Sequence, residues 1–313
     1  MIAIKENISL APYTVYKIGG SARFFIEASA KDHIIEAAAF ARARNIPFLV
    51  LGAGSNVLIS DAGYNGVVIH LAGGKIESRG ASVRIDSGVM MARAAHEAAQ
   101  KELAGFEWAV GIPGTVGGSV RGNAGCFGGE MKDVVRSVEV FDTVRSTMRR
   151  VSRAQSAFAY RDSFFKRHPE LIILSATLVL RHGSREEIQN KIVALSKERA
   201  EKQDIGAKSC GCIFKNAAWD SPGSNAKNRL HRIPELRRFE EAGVIPASFL
   251  IDTIGWKGKA IGRARVSKKH ANFFVNEGGA SADEALMLMS AVKNDVARRC
   301  GVVLEEEIQL IGF

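Results

Sequence analysis

Apolar residues recur with a helical period over residues 34–43, and Ser29-Ala30-Lys31-Asp32 ahead of them reads as a capping box, so a helix is expected to begin there. Residues 46–51 follow as a β-rich apolar run that ends in glycine, which predicts helix, strand and then a tight loop. Further strands are expected over 66–71, 82–86, 134–141 and 171–180, with a helix between Met90 and Glu102. Ser184-x-x-Glu187 and Ser281-x-x-Glu284 announce two later helices, and Gly301 suits the left-handed terminator of the second. The first of the two is expected to bridge two domains. Residues 216–241, with Pro222-Gly223-Ser224-Asn225 and many charges, show no period and read as a long surface loop or insertion.

Composition narrows the class. The chain has 313 residues, 46% of them hydrophobic, with 31 glycines against 7 prolines, which is enough apolar content for two or three cores. The first dozen residues include Lys5 and Glu6 and hold no signal-like apolar run, and no stretch of about 18 uncharged apolar residues exists. A cytoplasmic protein without membrane insertion is expected. Cys126, Cys210, Cys212 and Cys300 form no Cys-x-x-Cys pair and no disulfide framework, which fits a reducing compartment. The formal charge of +10 is scattered, with short runs such as Arg237-Arg238 and Lys268-Lys269, so it points to phosphorylated small molecules rather than nucleic acid. No histidine or carboxylate group has metal-ligand spacing, and no metal is expected.

Glycine supplies the first chemical signal. Leu51-Gly52-Ala53-Gly54-Ser55-Asn56 follows an expected strand, and its freed backbone N–H groups suit a nest around a diphosphate. It is not a Rossmann fingerprint, because Val57 stands where the third glycine belongs and a strand rather than a helix is expected next. Nor does the chain contain a P-loop. A denser block, Gly111-Ile112-Pro113-Gly114-Thr115-Val116-Gly117-Gly118, continues through Asn123-Ala124-Gly125, where backbone must approach something closely.

These residues together resemble the flavoprotein UDP-N-acetylenolpyruvoylglucosamine reductases. Thr14-Val15-Tyr16-Lys17-Ile18-Gly19-Gly20, the 51–56 loop and the 111–125 block look like that family's three flavin-contacting segments in order. Tyr160-Arg161-Asp162-Ser163-x-Phe165-Lys166 is similar to its substrate-side arginine motif, and the C-terminal third resembles its substrate domain. The segments concerned are Cys212-Ile213-Phe214-Lys215-Asn216, Leu250-Ile251-Asp252, Lys257-Gly258, Val266-Ser267-x-x-His270-Ala271-Asn272-Phe273 and Leu304-Glu305-Glu306-Glu307-Ile308. Three departures stand out: Cys212 where many members carry serine, no proline after Asn216, and Glu306 in place of a proline common between two glutamates.

The resemblance implies an α+β protein: a two-subdomain FAD-binding fold of the vanillyl-alcohol-oxidase/PCMH type, residues 1–73 and 74–195, followed by an α+β substrate-binding domain, residues 196–313. It implies FAD and NADPH as cofactors, a UDP-sugar enolpyruvyl ether as substrate, and a monomer. FAD would contact Tyr16, Ile18 and Gly19 in the first segment, and Gly52, Ala53, Gly54, Ser55 and Asn56 in the second. In the third it would contact Gly111, Pro113, Gly114, Thr115, Gly117, Gly118, Asn123, Ala124 and Gly125. Tyr160, Lys215, Asn216, Lys257, Ser267, His270 and Asn272 would bind substrate.

The implied chemistry is hydride addition to an enolpyruvyl group, which builds an enolate-like dianion that must be stabilised and then protonated. Arg161 offers a fork of donors that matches a carboxylate, and a protonated Glu307 can donate to the second oxygen. Cys212 would deliver the proton, since a thiol lies nearer neutrality than a serine hydroxyl. Without the family pattern, Cys212 beside Ile213 and Phe214 on a strand reads as a small buried hydrophobe, Arg161 beside Asp162 as a surface ion pair, and Glu305 to Glu307 as a solvated acidic run. A flavin-dependent oxidase or dehydrogenase acting on a small alcohol or hydroxy acid shares the cofactor loops and is the alternative.

Overall fold

The computed structural model describes residues 2–220 and 233–313. The expected turn at Pro222-Gly223-Ser224-Asn225 lies outside the described residues. The chain divides into two compact units, one of Met1–Ile8, Ala22–Ala53 and Tyr64–Glu201, the other of Ser9–Ser21, Gly54–Gly63 and Lys202–Phe313.

In the first unit, Ser21–Ala28, Lys31–Ala43 and Phe48–Leu51 run strand, helix, strand, and both strands pair in parallel with Tyr64–Leu71. Ile34, Ala37, Ala38 and Ala41 place one helix face over Ile26, Val67 and Ile69. This is the period of 3.6 meeting the period of 2 across one core. The helix does not start with the expected capping box. Ala30 is the extended N-cap residue and no side chain caps it, while Ser29 lies one position too early and its Oγ sits 3.5 Å from His33 Nδ1. Asp32 in the first turn complements the helix dipole instead.

A second, antiparallel sheet has the order Thr147–Ser152, Val135–Asp142, Leu171–Val179, Ser82–Asp86 and Ile76–Arg79. Leu171–Val179 is buried along most of its length because both of its faces are covered. Ile172 and Leu174 join the core of the parallel sheet, whereas Leu171, Ile173, Ala176 and Leu178 pack with Val83, Ile85 and the Met91–Gln100 helix. Two-sided burial is why this stretch reads as a continuous apolar run rather than an alternating one. The Arg185–Lys202 helix lays Ile188 and Ile192 on Ala99, and its remaining faces are polar.

The second unit packs the Ala247–Thr253 and Ala282–Cys300 helices around a three-stranded sheet, Ala260–Ile261, Ala264–Val266 and Phe274–Asn276. Gln309–Ile311 pairs in parallel with Val57–Ile59. The 282–300 helix carries the expected signals at both ends: Ser281 and Glu284 form a reciprocal capping box, and Gly301 is left-handed at φ 67°. Residues 212–216 differ from the expected strand. The chain bends at Ile213 and is paired through single bridges, Cys212 with Phe273 and Phe214 with Glu306, and part of the ladder is replaced by the side chain of Asn272.

Candidate active site

Within the first unit the glycine block is folded against the end of the Phe48–Leu51 strand. Thr115 caps the short Val116–Arg121 helix, its Oγ1 accepting from Gly118 N at 3.4 Å. A Cβ on Gly52 would lie 2.4 Å from that same Oγ1, so the two loops touch and the 52 position admits only glycine. Gly117 is equally constrained, since its Cβ would stand 2.7 Å from Ser87 Cβ and its N–H donates to Ser87 O at 2.8 Å. The carbonyls of Gly114 and Thr115 accept from Met91 N and Ser119 N, both at 2.9 Å. The N–H groups of Gly114 and Thr115 have no protein acceptor among the described residues. Amide donors without a protein acceptor, beside small residues, are what a diphosphate requires. Pro113, Gly118 and Gly111 line the same block; Gly111 lies close to Arg199, whose Nη1 would be 2.7 Å from a Cβ there.

Asn123 and Ala124, expected at the cofactor, are committed to the protein. Asn123 is fully buried at φ 43°, and its side chain donates to Glu130 Oε2 at 2.6 Å and Ala159 O at 2.9 Å while accepting from Lys132 N at 2.9 Å. The N–H of Ala124 donates to Ser119 O at 2.8 Å and its carbonyl accepts from Met131 N at 3.0 Å; Gly125 pairs with Glu130. Asn123 thereby pins the tight loop that carries the arginine motif. Ala159 and Asp162 exchange both backbone hydrogen bonds, at 3.0 and 3.2 Å, leaving Tyr160 and Arg161 at the tip. Arg161 is left-handed at φ 53°, a conformation that costs a side chain about 1–2 kcal/mol. Strain of this kind, held by surrounding bonds, concentrates at functional positions. Its guanidinium lies 5.5 Å from the Tyr160 ring and its carbonyl accepts from Lys166 Nζ at 2.9 Å. Asp162 pairs with Arg167.

Cations dominate this part of the unit. Burial pushes the Cys126 thiol up, against the pull of Arg199 and Arg161, and it donates to Trp108 O at 3.1 Å. Burial likewise draws the Arg121 guanidinium down, with Asp162 acting the other way. Sequence reading missed Arg121 and Arg199; an arginine on an amphipathic or short helix gives no signal that distinguishes it from a solvated one.

In the second unit the backbone of residues 305–307 is bonded to the stretch that follows Cys212. The N–H of Glu307 donates to Ile213 O at 2.7 Å, Lys215 N donates to Glu305 O at 2.8 Å, and the Glu307 carbonyl accepts from Asn56 Nδ2 at 3.3 Å. Lys293 Nζ holds Glu306 Oε1 at 2.8 Å on the other side of the acidic run. Burial pushes the neighbouring Cys210 thiol up to about 12, so it stays protonated, and Cys212 is the more exposed of the pair.

The other candidates of this unit divide. Asn56 spans the turn through its carbonyl, which accepts from Gln309 N at 2.9 Å, and Gly54 is left-handed at φ 62° with Tyr13 O 2.3 Å from where its Cβ would be. Ser55 lies between them. Tyr16 and Ile18 are buried in the core, and Gly19, at φ 141°, packs on Ile59. The Tyr16 hydroxyl has no hydrogen-bond partner among the described residues, and burial, reinforced by Cys210, raises its pKa well above the ordinary value. Lys215 reaches Glu305 at 3.2 Å and Lys257 reaches Asp252 at 2.6 Å. Asn216 Oδ1 accepts from Ala247 N at 3.2 Å. Ser267 Oγ donates to Asp204 and accepts from the N–H groups of Lys269 and His270, each at 3.0 Å, so it orders a turn. His270 is held neutral chiefly by burial, with its ring 4.5 Å from Phe273. Asn272 is 1% exposed and its amide group bonds both backbone groups of Phe214. Among the described residues no group of His, Cys, Asp and Glu is placed to hold a metal ion, and no helix is long and apolar enough to cross a membrane.

Comparison with known proteins agrees with both halves of this picture. Residues 22–152 match a family profile described as FAD binding domain, and residues 203–311 match one described as UDP-N-acetylenolpyruvoylglucosamine reductase, C-terminal domain. A UDP-N-acetylenolpyruvoylglucosamine reductase of Caldicellulosiruptor bescii is 36% identical over 316 residues, covering 99% of this chain and 91% of the relative. That of Gloeobacter violaceus is 33% identical over 313 residues, covering 99% and 96%. The crystal structure of the Thermus caldophilus reductase superposes with a TM-score of 0.78 at 30% identity, over 99% of this chain and all of the other. The amide-lined glycine block, the matched FAD-binding segment and the end-to-end similarity place this chain in the UDP-N-acetylenolpyruvoylglucosamine reductase family, FAD- and NADPH-using oxidoreductases of peptidoglycan precursor synthesis.

Proposed function

We propose that this chain reduces UDP-N-acetylglucosamine enolpyruvate to UDP-N-acetylmuramate with NADPH, in the cytoplasm and as a monomer. Residues 1–73 and 74–195 serve as the FAD-holding subdomains and 196–313 as the substrate-binding domain. The observation that supports the assignment of roles is the hydrogen bond from Glu307 N to Ile213 O, which ties the acidic run to the residue that follows Cys212.

Bound FAD would supply the hydride-carrying chemistry between NADPH and the β-carbon of the enolpyruvyl group. The residues do the rest. The N–H groups of Gly114 and Thr115, with the 52–56 loop, hold the diphosphate of the cofactor. The Arg161 guanidinium takes the substrate carboxylate through two parallel hydrogen bonds, and Glu307, as the neutral acid, donates to the oxygen where charge accumulates. Cys212 Sγ–H gives its proton to the carbon next to the carboxylate, which completes the reduction; serine in this position transfers an O–H proton in the same way. Lys215 and Asn216 extend along the same segment toward the substrate diphosphate and sugar, and Tyr160 closes on the substrate beside Arg161.

The test is anaerobic. NADPH mixed with the pure holoenzyme is expected to bleach the flavin, and the enolpyruvyl substrate to restore its absorbance. Cys212→Ala is expected to leave bleaching intact and slow the recovery by two orders of magnitude or more (about 10²–10⁴-fold for loss of a general acid), with Cys212→Ser retaining most of the recovery rate. Equal loss in both half-reactions would assign Cys212 a structural role.

A further inference from the structure

We infer that Asn272 is the positioning residue for Cys212, a role that rests on the reading of Cys212 as proton donor. Cys212 lies in a segment with almost no sheet to hold it. Its flanking ladder consists of one bridge on each side, Cys212 with Phe273 and Phe214 with Glu306. Most of the bonds that fix the backbone between them come from one residue. The carbonyl of Asn272 accepts from Ile213 N at 2.9 Å, its Oδ1 accepts from Phe214 N at 3.0 Å, and its Nδ2 donates to Phe214 O at 2.7 Å. One asparagine thus occupies three of the four backbone N–H and C=O groups of the two residues directly after the thiol-bearing residue.

The side chain imitates a neighbouring strand. A carboxamide presents one acceptor and one donor at the spacing of a peptide group, so it can answer both the N–H and the C=O of one residue, and no other uncharged side chain of that length does so. Phe214 is wholly buried and Asn272 is 1% exposed, so water cannot replace these bonds. The same stretch receives Glu307 N on Ile213 O, so the register that Asn272 sets for Ile213 and Phe214 also fixes the height of Glu307 against Cys212. The consequence is selective: the clamp acts on the proton donor and on Glu307, and it contains no group of the first unit's glycine block.

The experiment compares the FAD-loaded wild type with Asn272→Ala, Asn272→Asp and Cys212→Ala in the two anaerobic half-reactions. Asn272→Ala is expected to bleach with NADPH within about twofold of wild type. Its recovery at saturating enolpyruvyl substrate is expected to fall about a hundredfold, the scale on which a displaced reacting group loses rate, with the substrate concentration for half-saturation little changed. Asn272→Asp keeps the acceptor for Phe214 N but, when ionised, sets an oxygen against Phe214 O. Its recovery rate relative to wild type is therefore expected to rise as the pH is lowered and the carboxyl gains the proton that restores a donor. Amide hydrogen exchange should quicken at residues 213–214 in Asn272→Ala.

A loss of substrate affinity with an unchanged saturated rate, equal loss in both half-reactions, or unaltered exchange at 213–214 would overturn the inference. If Asn272→Ala does not fold, Asn272→Asp alone decides, and a recovery ratio flat with pH overturns it. Normal recovery in Cys212→Ala would sink the proton-donor reading itself, which separates that failure from failure of the clamp.

Discussion

Gly52 and Thr115 offer a double-mutant test of how the flavin loops are held. A methyl group at position 52 would lie 2.4 Å from Thr115 Oγ1, 3.2 Å from its Cγ2 and 3.4 Å from its Cβ. The first distance is about 1 Å inside contact, and forcing such an overlap costs about 1–3 kcal/mol. Thr115→Ala by itself removes a cap that accepts at 3.4 Å, a long hydrogen bond, so its cost belongs near the lower end of the capping range, about 0.5–1 kcal/mol. In the double variant the Oγ1 and Cγ2 atoms are gone and the new methyl meets only a Cβ at 3.4 Å, an ordinary contact. Gly52→Ala/Thr115→Ala should therefore be more stable than Gly52→Ala, with a coupling of about 1–2 kcal/mol, which for neighbours in contact is readily measured. Urea unfolding of the four proteins gives that number directly, and FAD titration of the apoproteins should show affinity rising about tenfold from the single to the double variant, 1.4 kcal/mol being a factor of ten. Additive effects would refute the argument that these loops are locked by that one contact.

Other variants probe the scaffold. Burial by itself raises the Glu139 carboxyl, but hydrogen bonds from Lys31, Arg84 and Ser175 together outweigh it and hold the group below its ordinary range. A depressed carboxyl stabilises the fold above its unfolded pKa and loses that contribution as pH falls through the folded value, so Glu139→Gln should destabilise at pH 7, with the gap to wild type narrowing as the pH is lowered in thermal melts. Gly301→Ala puts a Cβ into a left-handed cap at φ 67° and should cost about 1 kcal/mol, read as a shift of the urea midpoint at constant m. Ser281→Ala removes the acceptor for Glu284 N at 3.0 Å and should cost about 1 kcal/mol in the same assay. Arg161→Lys is expected to retain flavin bleaching and to slow recovery with substrate, because a single ammonium cannot make two parallel bonds to a carboxylate.

Much was legible in the sequence because it is local. The ends of the 282–300 helix follow from Ser281, Glu284 and Gly301, whose roles depend on backbone within four residues. The strand pattern from 66 to 180 follows from β-rich apolar runs, and the glycine blocks mark where backbone needs close approach. The start of the first helix shows the limit of such signals. Ser29 satisfies the capping pattern, yet the chain leaves the extended conformation one residue later, at Ala30.

The sequence by itself determined which residues are chemically able to act: a thiol, an arginine, an acid and two glycine-rich loops, in an order shared with one family. Only the tertiary structure decided how each is used. It gathered residues 9–21 and 54–63 with the C-terminal third into one unit, and it tied Glu307 N to Ile213 O, next to Cys212 in the chain, across nearly a hundred positions. It also engaged the side chains of Asn123 and Asn272 in buried hydrogen bonds to backbone. The physical reason is that an amide side chain reads identically in a pocket and in a core, and only the count of its buried hydrogen-bond partners tells the two apart.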